Sequence, residues 1–413
     1  MKQRLSESEA AVNLTVPSAP ARRLPLLYRA LISRLEQAEV SRLRLVLPDG
    51  RELALGQTRD GVPLPRLRIR RAKALLRGWF GGLTGWAEGF MADDWACDDL
   101  VALTDWAMAN EAALDRAFAG SWLATAVNRL LHRLNANTRR GSRRNIAYHY
   151  DLGNDFYRLW LDPSMTYSSA LFATPDEPLE LAQQRKYRRI LQLLAPQPRD
   201  RVLEIGCGWG GFGEALLRDH DSHWYGVTLS QEQLAWSRER LASFGERARC
   251  SLTDYRDLQQ RYDGIVSIEM LEAVGEANWP LYFQRLRQLL KPGGRAVVQV
   301  ITIDDARFET YRRGSDFIQR YIFPGGMLPS PSRMREQIQG AGLRLLHEEG
   351  FGADYARTLA HWHRAFVEAW PRIRKQGFDE RFYRLWRYYL AYCESGFRAG
   401  SIDVRLYQIG TES

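Results

Sequence analysis

Cysteine is scarce in this sequence, and long apolar runs are missing from it. Its four cysteines stand far apart along 413 residues, which excludes a dense disulfide scaffold and a metal site built on closely spaced cysteines. No uninterrupted apolar run is long enough to span a bilayer, so a transmembrane helix is not expected. The first residues also lack the apolar core of a secretory signal. Together these absences predict a reduced cytosolic chain without a bound metal.

Acidic residues are few relative to basic ones in the first third of the chain. Residues 1–145 carry 23 basic and 15 acidic side chains and so account for +8 of the net charge of +9. The basic residues are nearly all arginines, with clusters at Arg66–Arg77 and Arg139–Arg144. Arginine binds phosphate oxygens through two parallel hydrogen bonds, so an anionic partner, either a nucleic acid or a membrane surface, is one interpretation. A solvated face of an arginine-rich protein is the other.

The length of the chain predicts two domains. Residues 1–24 are polar and rich in Ala and Pro, which predicts disorder. A helix beginning at Leu26 and a β-hairpin after it open a mainly helical N-terminal domain over residues 25–140. Within this domain, residues 78–95 are rich in glycine and aromatic residues and predict a packed turn region. Basic and small polar residues cluster at Asn135–Asn145, where we place the domain boundary.

Strand and helix patterns alternate in the second domain, residues 141–413. Strands are predicted at 201–205, 223–228, 263–268 and 295–301, with helices between them, and Val404–Ile409 alternates like a last antiparallel strand. This order predicts an α/β fold: a Rossmann-like mixed sheet covered by helices on both faces. The ligand of such a sheet binds at the carboxyl ends of the parallel strands.

The most informative segment reads RVLEIGCGWGGFG and spans residues 201–213. Its strand carries Glu204 just before Gly206, and its glycines let the backbone turn tightly and approach a ligand closely. Because the loop lacks the G-x-G-x-x-G spacing of dinucleotide sites, it suits the sulfonium and amino-acid end of S-adenosylmethionine (SAM) better than a pyrophosphate. A purely structural strand–turn–helix is the alternative interpretation.

Further motifs extend the pattern on both sides of this loop. They are NIAYHYDLGNDFYRLWLDPSMTYSSALF (145–172), GVTLSQEQ (226–233), IEMLEAVGE (268–276), YIFPGGMLPS (321–330), FGADYARTL (351–359) and YYLAYCESGFRAG (388–400). With these motifs, the chain resembles the cyclopropane-fatty-acyl-phospholipid synthase family over nearly its whole length. That family includes the mycolic acid cyclopropane synthases and fatty-acyl methyltransferases. The resemblance implies a SAM-dependent methyltransferase domain behind a smaller domain that docks on lipid.

The resemblance also implies a reaction. A SAM methyl group is transferred to a cis double bond of a phospholipid acyl chain, and the resulting carbocation loses a proton and closes a cyclopropane ring. An alkene is a poor nucleophile, so this chemistry needs a dry apolar tunnel, in which aromatic rings stabilise the cation. A C-methyltransferase that makes a methyl- or methylene-branched chain begins with the same transfer. A SAM enzyme acting on a small molecule or nucleic acid, and a non-catalytic lipid-binding relative, are further alternatives.

The partners follow from the same resemblance. Phospholipid acyl chains at an anionic membrane surface are the expected partners, and nucleic acid is not. The expected location is the cytoplasm, with peripheral attachment to the inner face of the cell membrane. The resemblance leaves a homodimer open.

In the family, a bound bicarbonate is the expected proton acceptor. The resemblance assigns its cradle to Glu272, Tyr355, Gln299, the amide of Ser169 and the carbonyl of Ile268. Gln299 stands where the family has a histidine, and a glutamine can donate a hydrogen bond but cannot become cationic. This change puts both bicarbonate binding and the product in question. The resemblance adds Cys393 as an active-site residue, although its position on an apolar helix face favours a buried core thiol.

The SAM-binding residues are assigned from the glycine loop and from the family motifs. Glu204, Gly206, Cys207 and Gly208 hold the methionine part, which Tyr167 and Ser168 cover. The T-L-S-x-x-Q motif, Thr228, Leu229, Ser230 and Gln233, offers hydroxyl and amide groups to the ribose. Asp254 and Tyr255 are placed at the adenine edge.

Overall fold

The computed structural model describes residues 24–118, 152–314 and 316–411. Nearly all of the segment predicted to be disordered, 1–24, lies outside the described residues. The same holds for the predicted boundary at Asn135–Asn145 and for the Arg139–Arg144 cluster.

The N-terminal part, residues 24–118, combines helices with a four-stranded sheet. Its elements are α1 (Leu26–Gln37), β1 (Leu43–Val46), β2 (Glu52–Leu55), β3 (Arg66–Ile69), α2 (Lys73–Met91), β4 (Trp95–Cys97), α3 (Leu100–Ala109) and α4 (Glu111–Phe118). The strand order is β2-β1-β3-β4. The predicted hairpin is confirmed, because β1 and β2 pair antiparallel. Only two of these strands were predicted.

Residues 78–95 are more helical than the sequence pattern suggested, because α2 covers most of them. The helix consists of two arms that meet at Gly82, whose φ of +56° and ψ of −143° are not helical. The second arm packs tightly on the first: a Cβ on Gly85 would stand 1.9 Å from the Arg77 carbonyl oxygen. The glycines therefore allow one turn and one close backbone contact within a helical segment.

The rest of the described chain alternates helices and strands. Its elements are α5 (Asn154–Tyr157), α6 (Leu179–Leu194), β5 (Arg201–Ile205), α7 (Gly211–Asp219), β6 (His223–Thr228), α8 (Gln231–Arg240), β7 (Ala248–Leu252), β8 (Tyr262–Ile268), α9 (Trp279–Leu289), β9 (Leu290–Ile303), α10 (Asp305–Tyr311), α11 (Phe317–Tyr321), α12 (Pro331–Gly340), β10 (Arg344–Gly350), α13 (Gly352–Lys375), α14 (Glu380–Arg398) and β11 (Ile402–Gly410).

These strands form one mixed sheet in the order β10-β11-β9-β8-β5-β6-β7. Strands β5 to β9 run parallel, and β11 pairs antiparallel with both β9 and β10. The predicted strands are therefore confirmed, including the last antiparallel one. β5 lies between β8 and β6, so the chain first adds strands on one side of β5 and then on the other. The strand order therefore reverses beside β5. The loops after these strands border a crevice where such sheets bind ligands.

The N-terminal part packs on the long helices α13 and α14. Helices α2 and α3 contact α14, and their apolar side chains share one core with it. The Thr104 and Ser395 hydroxyls meet at 2.7 Å inside this contact, and Arg398 pairs with Asp105 at its edge. The arrangement brings α3 and α4 close to the carboxyl edge of the main sheet.

Within the described parts of the chain, no helix combines the length and the apolar character needed to cross a bilayer.

Candidate active site

Two cavities open at the carboxyl ends of the parallel strands. The smaller one, of about 160 Å³, follows the loops after β5, β6 and β8. The larger one, of about 590 Å³, extends from the same region to the N-terminal part. Tyr167, Glu269 and Ala273 line both cavities. Ligands bound in the two cavities would therefore meet at these three residues.

The glycine loop after β5 forms one wall of the smaller cavity. The amides of Gly206 and Cys207 donate to the Val227 carbonyl at 2.9 and 3.1 Å, which fixes the loop against β6. Gly208 has a φ of +51°, in the region that favours glycine. A Cβ built on Gly208 would meet no atom within 4 Å, so it would take up open space at the cavity wall. This open space beside exposed backbone suits SAM.

Nearly all the predicted SAM residues line this cavity. They are Tyr167, Ser168, Glu204, Gly206, Cys207, Gly208, Thr228, Leu229, Gln233, Asp254 and Tyr255. Ser230 is not among them. Its hydroxyl caps α8 by accepting a hydrogen bond from the backbone N–H of Gln233 at 3.3 Å. The Ser230 hydroxyl thus serves as a helix cap, and its contact with the ribose stays a prediction. The Thr228 hydroxyl donates to Gln233 Oε1 at 2.9 Å, which orients the Gln233 side chain.

Two of the predicted SAM ligands carry carboxylates that protein groups already bind. Asp254 accepts hydrogen bonds from Arg256 Nε at 2.8 Å and Nη2 at 2.5 Å. Glu204 accepts one from Trp224 Nε1 at 2.8 Å, and burial raises the pKa of Glu204 to about 8. Both carboxylates are thus held in place by the protein itself.

Three of the groups assigned from the resemblance gather around a carboxylate that was not assigned, that of Glu269. Oε1 of Glu269 accepts from the Ser169 amide at 2.8 Å and from Gln299 Nε2 at 2.7 Å. Its Oε2 accepts from the Tyr355 hydroxyl at 2.6 Å. Gln299 lies beside Glu269 because β8 and β9 are neighbours, with Ile268 opposite Gln299. Three groups expected to hold bicarbonate therefore hold a side chain of the protein.

Glu272, which was expected in this cluster, shares none of the hydrogen-bond donors of Glu269, and its catalytic role stays a prediction. One of its oxygens accepts from the Ile301 amide at 2.5 Å, and the other is buried with no hydrogen-bond partner among the described residues. Burial, together with the charge of Glu269, raises the pKa of Glu272 to about 8. Glu272 is therefore mostly protonated at pH 7. It lines the larger cavity, whereas Ile268 lines the smaller one.

Backbone strain also distinguishes Glu269. Its φ of +48° lies in the left-handed region, which costs a non-glycine residue about 1–2 kcal/mol. Such strain persists where the surroundings fix the residue, and it is frequent at functional sites. A sequence signal for Glu269 did exist, because it directly follows strand 263–268 at the carboxyl edge of the sheet. The family motif instead matches Glu272, three residues later.

Helices from both parts of the molecule line the larger cavity. Near Glu269 its wall includes Tyr389, whose hydroxyl meets that of Tyr167 at 2.9 Å. Toward the N-terminal part, Met108 of α3 and Leu114 of α4 complete the wall. The cavity is therefore a largely apolar passage that leads to the cluster around Glu269.

The aromatic residues around the passage divide into two groups. Tyr167, Tyr311 and Phe323 line the larger cavity. Phe156 instead belongs to the core, with its ring centroid 5.2 Å from that of Trp386. Both the protein core and the cavity wall use aromatic rings, so sequence patterns alone do not separate these two roles.

Cys393 also lines the larger cavity. Burial raises the pKa of its thiol well above the usual range, so the thiolate is not available near neutral pH. This environment agrees with an inert thiol in the cavity wall.

Comparisons with known proteins agree with this geometry. The family model described as mycolic acid cyclopropane synthetase matches residues 137–408. The tuberculostearic acid methyltransferase UfaA1 of Mycobacterium tuberculosis is 40% identical over 88% of this chain and 86% of its own. The cyclopropane-fatty-acyl-phospholipid synthase of Escherichia coli is 35% identical over 83% of this chain and 86% of its own. The structure of mycolic acid cyclopropane synthase CmaA1 with SAH and CTAB is 30% identical, with a TM-score of 0.61 over 65% of this chain and 98% of that one.

The mixed sheet and the glycine-loop cavity define a SAM-dependent methyltransferase, and SAM is its cofactor. More specifically, the chain belongs to the mycolic acid cyclopropane synthetase family, which is a family of SAM-dependent lipid methyltransferases. The predicted family and fold class are thereby confirmed.

Replacing Gly208 by Val tests the placement of SAM. The new side chain would occupy the open space at the cavity wall, so SAM binding measured by calorimetry should be lost. Gly245→Val is the matched control, because Gly245 has a similar φ of +57° and an equally open Cβ position outside this cavity. If Gly208→Val bound SAM within a few fold of the native protein, the site would have to be moved.

Proposed function

We propose that this protein methylates the double bond of an unsaturated acyl chain and that Glu269 removes the proton from the resulting cation. The observation that carries the proposal is the position of Glu269, which borders both the SAM cavity and the apolar passage. When bound, SAM supplies the methyl group as an electrophile, and the alkene supplies the electron pair. The proton that must then leave is accepted by the Glu269 carboxylate, so the lipid product is neutral.

The cluster holds the Glu269 carboxylate ready for this step. Burial raises the pKa of Glu269, while the Tyr355 hydroxyl, the Ser169 amide and Gln299 lower it by hydrogen bonding to the charged form. The same bonds fix the direction of the carboxylate lone pairs. A carboxyl with a raised pKa is a stronger base than an exposed one, and the apolar passage excludes the water that would trap a cation.

The product that we favour is a methylene-branched acyl chain, which forms when a hydride shifts to the cationic carbon from the methylated carbon and the transferred methyl group then loses a proton. The support is that UfaA1, a methyltransferase by name, shares more identity with this chain than the Escherichia coli synthase does. A cyclopropane ring is the second candidate, because the Escherichia coli protein is a cyclopropane synthase by name and is 35% identical over 83% of this chain. Both products require a base beside the transferred methyl group.

Mass spectrometry with deuterated SAM tests the proposed function. The purified protein is incubated with SAM carrying a CD₃ group and with vesicles of a phospholipid that has a cis-unsaturated chain. We expect an acyl product that retains two deuteriums, because the transferred CD₃ group loses one of its three as a deuteron. Fragmentation of the product then distinguishes a branch from a ring. If no label entered the acyl chains while SAM bound, the substrate class would be refuted.

The proposed N-terminal domain, 25–140, would present the enzyme to an anionic membrane surface. Much of the Arg66–Arg77 cluster is already neutralised within the fold: Arg70 pairs with Asp93 at 2.5 Å, and Arg77 pairs with Asp94 at 3.0 Å. These arginines stabilise the N-terminal part more than they attract lipid. The exposed Arg68 and Lys73 of the same cluster are better placed to meet phosphate groups.

Reversing the two exposed charges tests this docking. Each basic residue near an anionic surface contributes about 1 kcal/mol, so Arg68→Glu with Lys73→Glu should weaken binding to anionic vesicles by about tenfold or more. Arg372→Glu with Lys375→Glu on α13 is the matched control, because it changes the net charge equally at another exposed site. Equal loss in both double variants would show that net charge, and not this surface, determines binding. SAM affinity should stay constant in both.

A further inference from the structure

A lysine lies fully buried behind the wall of the SAM cavity. Lys186 of α6 has no exposed surface, and its Nζ donates to the Ser168 hydroxyl at 2.7 Å. The ammonium also stands over the Tyr187 ring, 4.3 Å from the centroid. Among the described residues it forms no direct salt bridge. A buried charge without a direct counter-ion is costly, so its retention needs an explanation.

Acidic groups from three different segments surround this ammonium. Asp162 precedes the Tyr167–Ser169 loop, Glu204 is the next-to-last residue of β5, and Glu269 follows β8; each raises the pKa of Lys186. Burial acts in the opposite direction and is the largest influence, lowering the pKa of Lys186 to about 8. The lysine therefore carries its charge at pH 7.

We propose that Lys186 is a positioning residue: its hydrogen bond to Ser168 fixes the loop whose next backbone amide, that of Ser169, holds Oε1 of Glu269, and its buried charge favours the ionised form of that carboxylate. The proposal rests on the proposed function in assigning the proton transfer to Glu269. Lys186 lies on α6, whereas the Tyr355 hydroxyl that binds Glu269 comes from α13. Glu272, three residues after Glu269, is mostly protonated at pH 7, because burial and the charge of Glu269 raise its pKa to about 8.

The pH profile of turnover separates charge from packing. Activity that needs ionised Glu269 rises with pH through the pKa of that residue. Lys186→Met keeps the length of the side chain but removes the charge, so the midpoint of this acid limb should move up by about one pH unit or more. Ser168→Ala removes only the hydrogen bond, so it should weaken SAM binding without moving the midpoint.

Two measurements that do not depend on activity complete the test. The sequence has five lysines, so the Lys186 Nζ signal can be assigned by ¹⁵N NMR in the native protein. A charged Nζ at pH 7 is expected, and a neutral one would overturn the proposal even if Lys186→Met failed to fold. In the folded Lys186→Met or Lys186→Gln protein, ¹³C NMR of labelled glutamate should show the Glu269 carboxyl titrating at higher pH than in the native protein. An unchanged Glu269 titration would also overturn the proposed role of Lys186. Failure of the proposed function would appear separately, as activity retained by Glu269→Gln.

Discussion

Replacing Glu269 by Gln is expected to lower turnover about a hundredfold or more, the usual effect of losing one positioned acid–base group. Glutamine has nearly the same shape but cannot accept the proton at its amide. SAM affinity should change little, because the glycine loop and the β6 motif remain intact. Single-turnover assays with an unsaturated phospholipid would measure the chemical step directly.

Glu272→Gln is the matched control for this experiment. Glu272 is buried three residues away, and its raised pKa of about 8 already keeps it mostly neutral at pH 7. We therefore expect a much smaller loss of turnover than for Glu269→Gln. The opposite order of effects would return the proton-accepting role to the residue that the family motif indicates.

Replacing Glu269 by Gly should produce an enzyme that depends on added bicarbonate. Removal of the side chain leaves the Ser169 amide, the Gln299 amide and the Tyr355 hydroxyl around a space the size of a carboxylate. Bicarbonate supplies the same oxygens and can accept the same proton. Turnover of Glu269→Gly should therefore fall as in Glu269→Gln and then rise about tenfold or more with bicarbonate, on the scale of general base catalysis.

The backbone favours this variant. Because Glu269 has a φ of +48°, glycine relieves strain of about 1–2 kcal/mol, and the variant should melt no lower than the native protein. Glu269→Gln is the control that should not respond to bicarbonate, since its amide still fills the space. Rescue of both variants, or of neither, would contradict the account of the cluster.

The sequence was sufficient for the main sheet and for the SAM cavity, for clear physical reasons. Buried parallel strands such as Arg201–Ile205 are short apolar runs bounded by glycines and turns. Strand Arg66–Ile69 escaped prediction because it pairs parallel with β1 and so lacks the tight turn that marks the β1–β2 hairpin, and Trp95–Cys97 escaped because it is only three residues long. The helical structure around Gly82 was not predicted, because glycines that allow tight helix packing cannot be told apart in a sequence from glycines of a turn.

The acid–base cluster could be predicted only in part. Tyr355, Gln299 and the Ser169 amide were expected together, and the structure brings them within 2.8 Å of one carboxylate. Which glutamate they hold depends on the left-handed turn at Glu269, and a sequence does not display a φ angle. The cap made by Ser230 shows the same limit, since a serine before a helix can serve either the helix or a ligand.

The most direct test of the central claim is the turnover of the native enzyme in buffer freed of carbon dioxide. The claim is that the chain supplies its own proton acceptor in Glu269. We predict that turnover of an unsaturated phospholipid in this buffer equals turnover with bicarbonate added. Turnover that disappears without bicarbonate and returns when it is added would contradict the claim.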